Sequence, residues 1–222
     1  MIAIIDYQAG NQTSVRRALA SLGIESEISD DPARLMAADG VIFPGVGAAG
    51  QAMGLLTSTA LAETVVELAR SRPFLGICLG CQIMLESSEE DGGIKTLGLL
   101  PGRNLRFSTN LKDEAGQGIR IPHMGWNNVR PVKTCPILEG IKESDQFYFV
   151  HGYYPEPAGE LVLATTDYGL TFASVFGRDG LWATQFHPEK SGRPGLKLLK
   201  NFHEYCQRRL HGDAPTGAMR HR

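Results

Sequence analysis

The sequence has few cysteines and no long apolar stretch, and both shortages narrow what the protein can be. Only four of its 222 residues are cysteine, too few for a chain of this length to depend on a disulfide scaffold. No apolar run approaches the length of a membrane span. The run from Ile2 to Ile5 is ended by Asp6 and is too short for a signal peptide. We therefore expect a soluble, cytoplasmic protein with reduced thiols and no membrane association.

The sequence also lacks a large excess of charge of either sign and a second pair of metal ligands. Lys and Arg number 22 against 24 Asp and Glu, which gives a formal net charge of −2 with no basic block. Nucleic acid is therefore not an expected partner. Cys78 and Cys81 have the spacing of half a zinc site, but no second close pair of cysteines or histidines accompanies them. We predict no metal site, and the sequence indicates no cofactor.

The first half of the chain alternates strand-length apolar runs with helical patterns. Predicted strands lie at 2–6, 24–29, 40–43 and 73–78, and predicted helices at 15–22, from 32 onward and at 59–71. This alternation is typical of βαβ units, in which a parallel sheet carries helices on both faces.

The second half changes to short strands, followed by one closing helix. The predicted strands are 103–107, 129–132, 147–150, 161–166, 172–176 and 181–186, and the helix is 194–210. We predict one α/β domain over residues 1–210, with a mostly parallel, flavodoxin-like sheet flanked by helices and an antiparallel-rich second half. Residues 211–222 are predicted to form a flexible tail.

The motif Gly76-x-Cys78-x-Gly80 stands where the strand at 73–78 turns into an apolar helical pattern at Ile83 to Leu85. It is the thiol version of the nucleophile elbow, whose glycines avoid a collision within a sharp strand-to-helix turn. The middle residue is held exposed at a helix N-terminus, where backbone N–H groups and the helix dipole favour a thiolate. We predict that Cys78 is a nucleophile.

Two other readings of the same cysteines stay open at this point. Cys78 could be a buried structural residue of a parallel strand, and Cys78-x-x-Cys81 has the spacing of a redox pair. The flanking glycines favour the elbow, and Cys81 is then a small buried residue of the following helix.

A thiol nucleophile needs a base and a group that orients the base. Of the six histidines, His187 ends the predicted strand 181–186, at the sheet edge where ligands bind in such folds. Glu189 follows two residues later, and in extended chain it projects to the same side as His187. It can then fix the tautomer of the imidazole. His187-Pro188-Glu189 by itself is equally consistent with a surface loop.

Oxyanion donors are predicted at a second strand end. Pro44-Gly45-Val46-Gly47 follows the buried strand 40–43, and glycines there let the backbone approach a ligand closely. Together with the N–H group of Leu79, this segment can form an oxyanion hole. The alternative is a plain turn from strand to loop.

These motifs resemble those of the class I, or triad, glutamine amidotransferases. Further segments match one branch of that family, the glutaminase subunits of imidazole glycerol phosphate synthase in histidine biosynthesis. The resemblance runs from residue 1 to about 208. Its segments include the following: Asp6-Tyr7-x-x-Gly10-Asn11, Leu97-Gly98-Leu99-Leu100-Pro101-Gly102, Pro122-His123-Met124-Gly125-Trp126-Asn127, Tyr148-Phe149-Val150-His151 and His187-Pro188-Glu189-Lys190-Ser191-Gly192. The sequence departs from the branch at Gln8-Ala9, Cys81 and Gly152.

The resemblance implies a reaction for the triad. Cys78 would attack the side-chain amide of L-glutamine, His187 would transfer the protons, and Glu189 would orient His187. The products would be glutamate and ammonia. Oxyanion N–H groups would come from the segment of Gly45 and Gly47 and from Leu79, while Gln82 and Asn11 match positions at the glutamine site.

The resemblance also implies a partner. Ammonia in this branch passes to a separate (β/α)8-barrel cyclase subunit, with which the glutaminase forms a heterodimer. There it reacts with a phosphoribulosyl aminoimidazole carboxamide nucleotide. Trp126, Tyr148 and Lys190 match interface positions. Glutaminase activity in the branch is low until the cyclase binds its nucleotide, which is usually explained by a backbone reorientation at Pro44–Gly47.

Three readings of the function remain distinct. A sister amidotransferase of another synthase, or a free-standing hydrolase of the same fold, would share the elbow and the His-Pro-Glu segment. Neither would need His123-Met124-Gly125-Trp126-Asn127 or Glu189-Lys190-Ser191. A binding module that has lost catalysis would be expected to lack one of the three triad residues, and all three are present.

Overall fold

The fold is described from a computed structural model, which covers residues 1–8, 11–59, 61–113 and 115–212. The part of the predicted flexible tail beyond residue 212 lies outside the described residues, and so does Ala9. The predicted domain boundary at residue 210 stays a prediction.

Six α-helices and fourteen strands lie within these ranges. The helices are α1 (Gln12–Ser21), α2 (Pro32–Met36), α3 (Ala49–Ser58), α4 (Leu61–Ser71), α5 (Leu79–Gln82) and α6 (Gly192–Leu210). The strands of the first half are β1 (Ile2–Ile5), β2 (Ser26–Ser29), β3 (Gly40–Gly45), β4 (Phe74–Cys78), β5 (Ser87–Ser88) and β6 (Ile94–Lys95). Those of the second half are β7 (Gly102–Arg106), β8 (His123–Asn128), β9 (Arg130–Pro131), β10 (Gln146–His151), β11 (Tyr153–Pro157), β12 (Val162–Asp167), β13 (Thr171–Arg178) and β14 (Leu181–Thr184).

A central sheet of eight strands has the order β2-β1-β3-β4-β14-β13-β12-β9. The five strands from β2 to β14 pair in parallel, and the remaining three are antiparallel. The predicted fold class is thereby confirmed, including the change of character in the second half. Since β4 and β14 are parallel neighbours, the segments that follow them emerge at the same edge of the sheet.

The core consists of two clusters, one on each face of the sheet. Ile2 and Ile4 face the cluster that includes α1 and α6, whereas Ala3 and Ile5 face the cluster that includes α2, α3 and α4. This alternation follows from the period of two in a strand. Because both faces are covered, β1 is apolar throughout.

Two smaller sheets lie beside the central one. β8 pairs with β10 in an antiparallel ladder, and β11, β7, β5 and β6 form the other sheet in that order. Neither β8 nor β11 was expected. Pro155 and Pro157 obscure β11, which tolerates them because it is an edge strand.

The helix predicted at 59–71 is α4, but a further helix, α3, precedes it and was missed. The glycines at 50 and 54 lower the helix propensity of α3, so its pattern was weak. No single helix among the described residues has the length and apolar composition to cross a membrane, whereas the bent pair α3 and α4 reaches that threshold together by length and composition only.

Candidate active site

Cys78 ends β4 in a strained conformation, with φ 53° and ψ −110°. Positive φ is uncommon for a residue other than glycine and is found at functional turns. The two glycines of the elbow make this turn possible. A Cβ at Gly76 would overlap the sulfur of Met84, and a Cβ at Gly80 would overlap the carbonyl oxygen of Phe43. Cys78 is only 6% exposed, so the prediction of an exposed residue was wrong, although the residue does line a cavity.

The helix that follows Cys78 is much shorter than predicted. α5 ends at Gln82, because the carbonyl groups of Ile83, Met84 and Leu85 accept hydrogen bonds from the loop at 97–100 instead of continuing the helix. The predicted longer helix is therefore reduced to one turn, with Cys78 at its N-cap position. Its first N–H groups still have no acceptor within the helix, so the expectation that they favour a thiolate stays a prediction.

His187 and Glu189 form a buried pair next to this cysteine. His187 Nδ1 lies 2.7 Å from Glu189 Oε1, and the two side chains are 1% and 0% exposed. Residues 188–190 form a 3₁₀ turn, so the prediction of extended chain was wrong. The carboxylate reaches Nδ1 from within the turn, and the contact fixes the proton on that nitrogen.

Asn11 makes a hydrogen bond to the carboxylate of this pair. Its Nδ2 donates to Glu189 Oε1 at 2.6 Å. Asn11 is the N-cap residue of α1, but its side chain makes no capping hydrogen bond. The resemblance implies a position near the glutamine site, which stays a prediction. The side chain lies on the carboxylate of Glu189, and Asn11 is not among the residues that line the cavity at Cys78.

The electrostatics favour a charged imidazole. Burial lowers the pKa of His187, but the charge of Cys78, a hydrogen bond with that cysteine and the contact with Glu189 together raise it above its ordinary value. Nε2 is buried without a partner in strict hydrogen-bond geometry. The charge of Cys78 raises the pKa of His187 independently of a hydrogen bond between the two side chains.

A cavity of about 390 Å³ opens in front of Cys78. It is lined by Val46, Gly47, Cys78, Leu79, Gln82, Glu90, Pro122, Val150, His151, Gly152, Tyr153 and His187. Glu90 was missed in the sequence because it lies outside the motifs. Within the described part of the chain, it is the only carboxylate that lines this cavity, and the N–H group of Ala49 donates to its Oε2 at 2.7 Å. Burial raises the pKa of Glu90, while that hydrogen bond acts in the opposite direction.

The predicted oxyanion segment borders the same cavity. Gly47 has φ +98° and lines it. Gly45 lies deeper, where a Cβ would come within 2.7 Å of the backbone nitrogen of Gly80. Leu79 opens α5 directly after Cys78, and the first N–H groups of a helix have no acceptor within it.

Two glutamines lie beneath the cysteine. Gln82 Nε2 donates to the carbonyl of Tyr153 and to Gln185 Oε1, each at 2.9 Å. Both amide protons of Gln82 therefore donate to protein groups, and its oxygen is the atom that can accept a hydrogen bond from a ligand. Gln185, which the sequence did not single out, approaches Cys78 with its Nε2 at 3.8 Å from the sulfur.

Two further histidines extend the polar groups of the site. His151 Nδ1 lies 2.8 Å from the carbonyl of Tyr153 and must carry a proton there. Its Nε2 then accepts from His123 Nδ1 at 2.9 Å, and Asn127 Nδ2 lies 3.3 Å from His123 Nε2. Burial lowers the pKa of His123 to about 4 and that of His151 to about 3, so both rings are neutral at pH 7.

The residues predicted to contact a partner lie together on a surface formed by β8, β10 and the 3₁₀ turn. Trp126 is 53% exposed and stands opposite Tyr148 in the ladder, with ring centroids 6.1 Å apart. Lys190 is exposed as well. Met124, on the same strand as Trp126, is 62% exposed and was not predicted.

Of the positions that depart from the family pattern, Gly152 lines the cavity and Gln8 does not. Ala9 is outside the described residues. No group of three His, Cys, Asp or Glu side chains within the described part of the chain is arranged to hold a metal ion. Cys81 is fully buried, with a free thiol.

Comparisons with known proteins agree with these features. The family model for glutamine amidotransferase class-I matches residues 3–205. Imidazole glycerol phosphate synthase subunit HisH of Desulfovibrio desulfuricans is 60% identical over 208 residues, which cover 93% of this chain and 95% of the relative. The HisH subunit of Nitratidesulfovibrio vulgaris is 56% identical over 207 residues, with 93% and 97% covered.

The solved structures support the fold. The crystal structure of a glutamine amidotransferase has a TM-score of 0.71 at 20% identity, with 93% of this chain and 100% of that chain covered. The structure of PurLQS from Thermotoga maritima has a TM-score of 0.69 at 18% identity, with 92% and 97% covered. At these identities the likeness concerns the architecture alone.

Proposed function

We propose, from the premise that this chain belongs to the glutamine amidotransferase class-I family, that it is the glutaminase subunit of an imidazole glycerol phosphate synthase. The family match and the HisH relatives at more than half identity support the assignment. The observation that carries the chemistry is the buried His187–Glu189 pair beside a strained Cys78 at the base of a cavity.

In the proposed reaction, the Cys78 thiolate forms a bond to the amide carbon of glutamine, and the carbonyl electrons move onto its oxygen. His187, as imidazolium, gives a proton to the departing nitrogen when the C–N bond breaks. Ammonia leaves and a thioester remains. Water, deprotonated by His187, then attacks the thioester, which releases glutamate and restores the thiolate.

The remaining cavity residues would bind the substrate. Glu90 offers a carboxylate to the α-ammonium group of glutamine, and its position is fixed by the N–H group of Ala49. Gln82 offers its oxygen as an acceptor. The N–H groups of Gly47 and Leu79 would stabilise the tetrahedral oxyanion, an interaction commonly worth a factor of about 100 to 1,000 in rate.

The partner would be the (β/α)8-barrel cyclase subunit of the synthase, in a heterodimer. The exposed surface around Met124, Trp126, Tyr148 and Lys190 is the proposed contact. Trp and Tyr are enriched in the hot spots of protein–protein interfaces. The cytoplasmic location expected from the sequence remains a prediction.

The test is glutamate production by the purified chain in three mixtures: alone, with the cyclase, and with the cyclase and its nucleotide ligand. We expect very slow hydrolysis alone and a large rise in the last mixture. Cys78→Ala should be inactive in all three. Rapid hydrolysis by the isolated chain, or indifference to the cyclase, would instead favour a sister amidotransferase or a free-standing hydrolase.

A further inference from the structure

The sulfur of Cys78 has a polar neighbour that lies outside the triad. Gln185 follows β14, two residues before His187, and its side chain is fully buried. Its Nε2 lies 3.8 Å from Cys78 Sγ, within the range of an N–H···S hydrogen bond. The identity of this amide atom matters, because an amide oxygen at the same place would repel a thiolate.

A backbone carbonyl fixes the orientation of both glutamines. The atom of Gln82 that lies 2.9 Å from the carbonyl oxygen of Tyr153 must be a donor, so it is Nε2. The atom of Gln185 that lies 2.9 Å from that Nε2 must then be an acceptor, so it is Oε1. The other end of the Gln185 amide, the one that faces Cys78, is therefore the NH₂ group.

A second contact agrees with this orientation. The thiol of Cys81 lies 3.9 Å from Gln185 Oε1, where it can donate weakly. Burial raises the pKa of Cys81 well above its ordinary value, so this thiol keeps its proton. Both neighbours of Oε1 can thus donate to it. A reversed amide would set two NH₂ groups against each other at the Gln82 contact.

We propose that Gln185 is a hydrogen-bond donor to the nucleophilic sulfur of Cys78, held with its NH₂ group toward the thiolate by the Tyr153–Gln82 contact. Its effect adds to that of the N–H groups in the single turn of α5. The inference rests on the proposed function, since it takes Cys78 to be the nucleophile. The hydrogen bond nevertheless acts on the ionisation of the Cys78 thiol, and this ionisation can be measured without glutamine.

The experiment is the pH dependence of Cys78 alkylation by iodoacetamide, followed at that residue by peptide mass spectrometry. Gln185→Leu removes the donor. Gln185→Glu keeps an acceptor toward Gln82 but replaces the donor with an oxygen. We expect the midpoint of the profile to rise by about one to two pH units in Gln185→Leu and at least as far in Gln185→Glu.

The matched control is Thr184→Val. Thr184 is the buried neighbour of Gln185, and its hydroxyl bonds to the carbonyl of Phe186, away from the cysteine. Its profile should coincide with that of the wild type. The titratable groups that face the sulfur or its cavity are His187, His151, Tyr7, Cys81, Tyr153 and Glu90. They are present in the wild type and in all of these variants, so their contributions cancel in the comparison.

A wild-type midpoint in both Gln185 variants would overturn the proposal. If those variants do not fold, the side-chain amide of Gln185 can be followed by ¹⁵N NMR in the wild-type chain. Its resonance should titrate with the alkylation profile, and the titration should vanish in Cys78→Ala. An amide that does not titrate would likewise overturn the proposal. Failure of the glutaminase assay with an altered alkylation profile would instead reject the proposed function alone.

Discussion

Replacing Asn11 tests whether the triad extends to a fourth residue. Glu189 Oε1 accepts two hydrogen bonds, from His187 Nδ1 at 2.7 Å and from Asn11 Nδ2 at 2.6 Å. Its other oxygen, Oε2, is buried without a partner among the described residues. In Asn11→Leu, the buried carboxylate keeps only His187 as a donor and is free to turn away from it.

The expected size follows from the cost of losing a hydrogen bond to a buried charge, about 1.5–3 kcal/mol. If that loss falls on the orientation of His187 in the transition state, kcat drops by about 10- to 100-fold. KM should change little, because Asn11 does not line the cavity. The free energy of unfolding should fall by up to the same amount, because the buried carboxylate of Glu189 loses a donor in the folded state. The start of α1 should be unaffected, since the backbone carbonyl of Asn11 still accepts the first helical hydrogen bonds and the side chain does not cap the helix.

The assay is glutamate production by the chain with its cyclase and nucleotide, over a range of glutamine concentrations. Thr13→Val is the matched control, because Thr13 is exposed on the same first turn of α1. A raised KM with an unchanged kcat would refute the reasoning, since it would place Asn11 on the substrate, as the resemblance implied.

The same geometry leads to three further predictions. In Cys78→Ala the pKa of His187 should fall, because the charge and hydrogen bond of the cysteine are the largest contributions that raise it; imidazole NMR measures the change. The free energy of unfolding should decrease from pH 6.5 to 5, because His123 and His151 have lowered pKa values in the fold and bind protons only when unfolded. The slope from both is at most about 2.7 kcal/mol per pH unit, and urea denaturation should show a smaller slope in His151→Gln. Trp126→Ala should weaken cyclase binding in calorimetry by about tenfold or more, with the melting temperature unchanged; full affinity would contradict the proposed interface.

The sequence predicts the parallel half of the fold because its local patterns are strong. β1, β3 and β4 are buried throughout, and Pro32 and Asp31 give α2 a clear start, with the Asp31 carboxylate accepting from the N–H group of Ala33. The patterns of α3 and β11 are weak, since glycine and proline obscure them. The truncated α5 could not be predicted, because its end is set by hydrogen bonds to the distant loop at 97–100.

For the site, the sequence identifies groups that carry their own motif and misses those that act through position. Cys78 is predicted from the spacing of its flanking glycines, and His187 is predicted from its position after a strand. Gln185 and Glu90 have no local signal, because an amide or a carboxylate in such positions is ordinary. The fold gives them their importance, because it places Gln185 next to the sulfur of Cys78 and Glu90 in the lining of the cavity.

The candidate partner surface and the candidate base are joined through β10, so they are not independent. The N–H group of His187 donates to the carbonyl of Tyr148 at 3.0 Å, and the N–H group of Tyr148 donates to Ser191 Oγ at 3.0 Å. Tyr148 thus presents its ring beside Trp126 while its backbone holds the His187 turn. A substitution that alters only the Tyr148 ring leaves both backbone bonds in place, whereas a shift of β10 would move the base directly. Tyr148→Phe and Tyr148→Ala can therefore report on partner binding without removing a catalytic contact, and any loss of catalysis in them would have to pass through the position of β10.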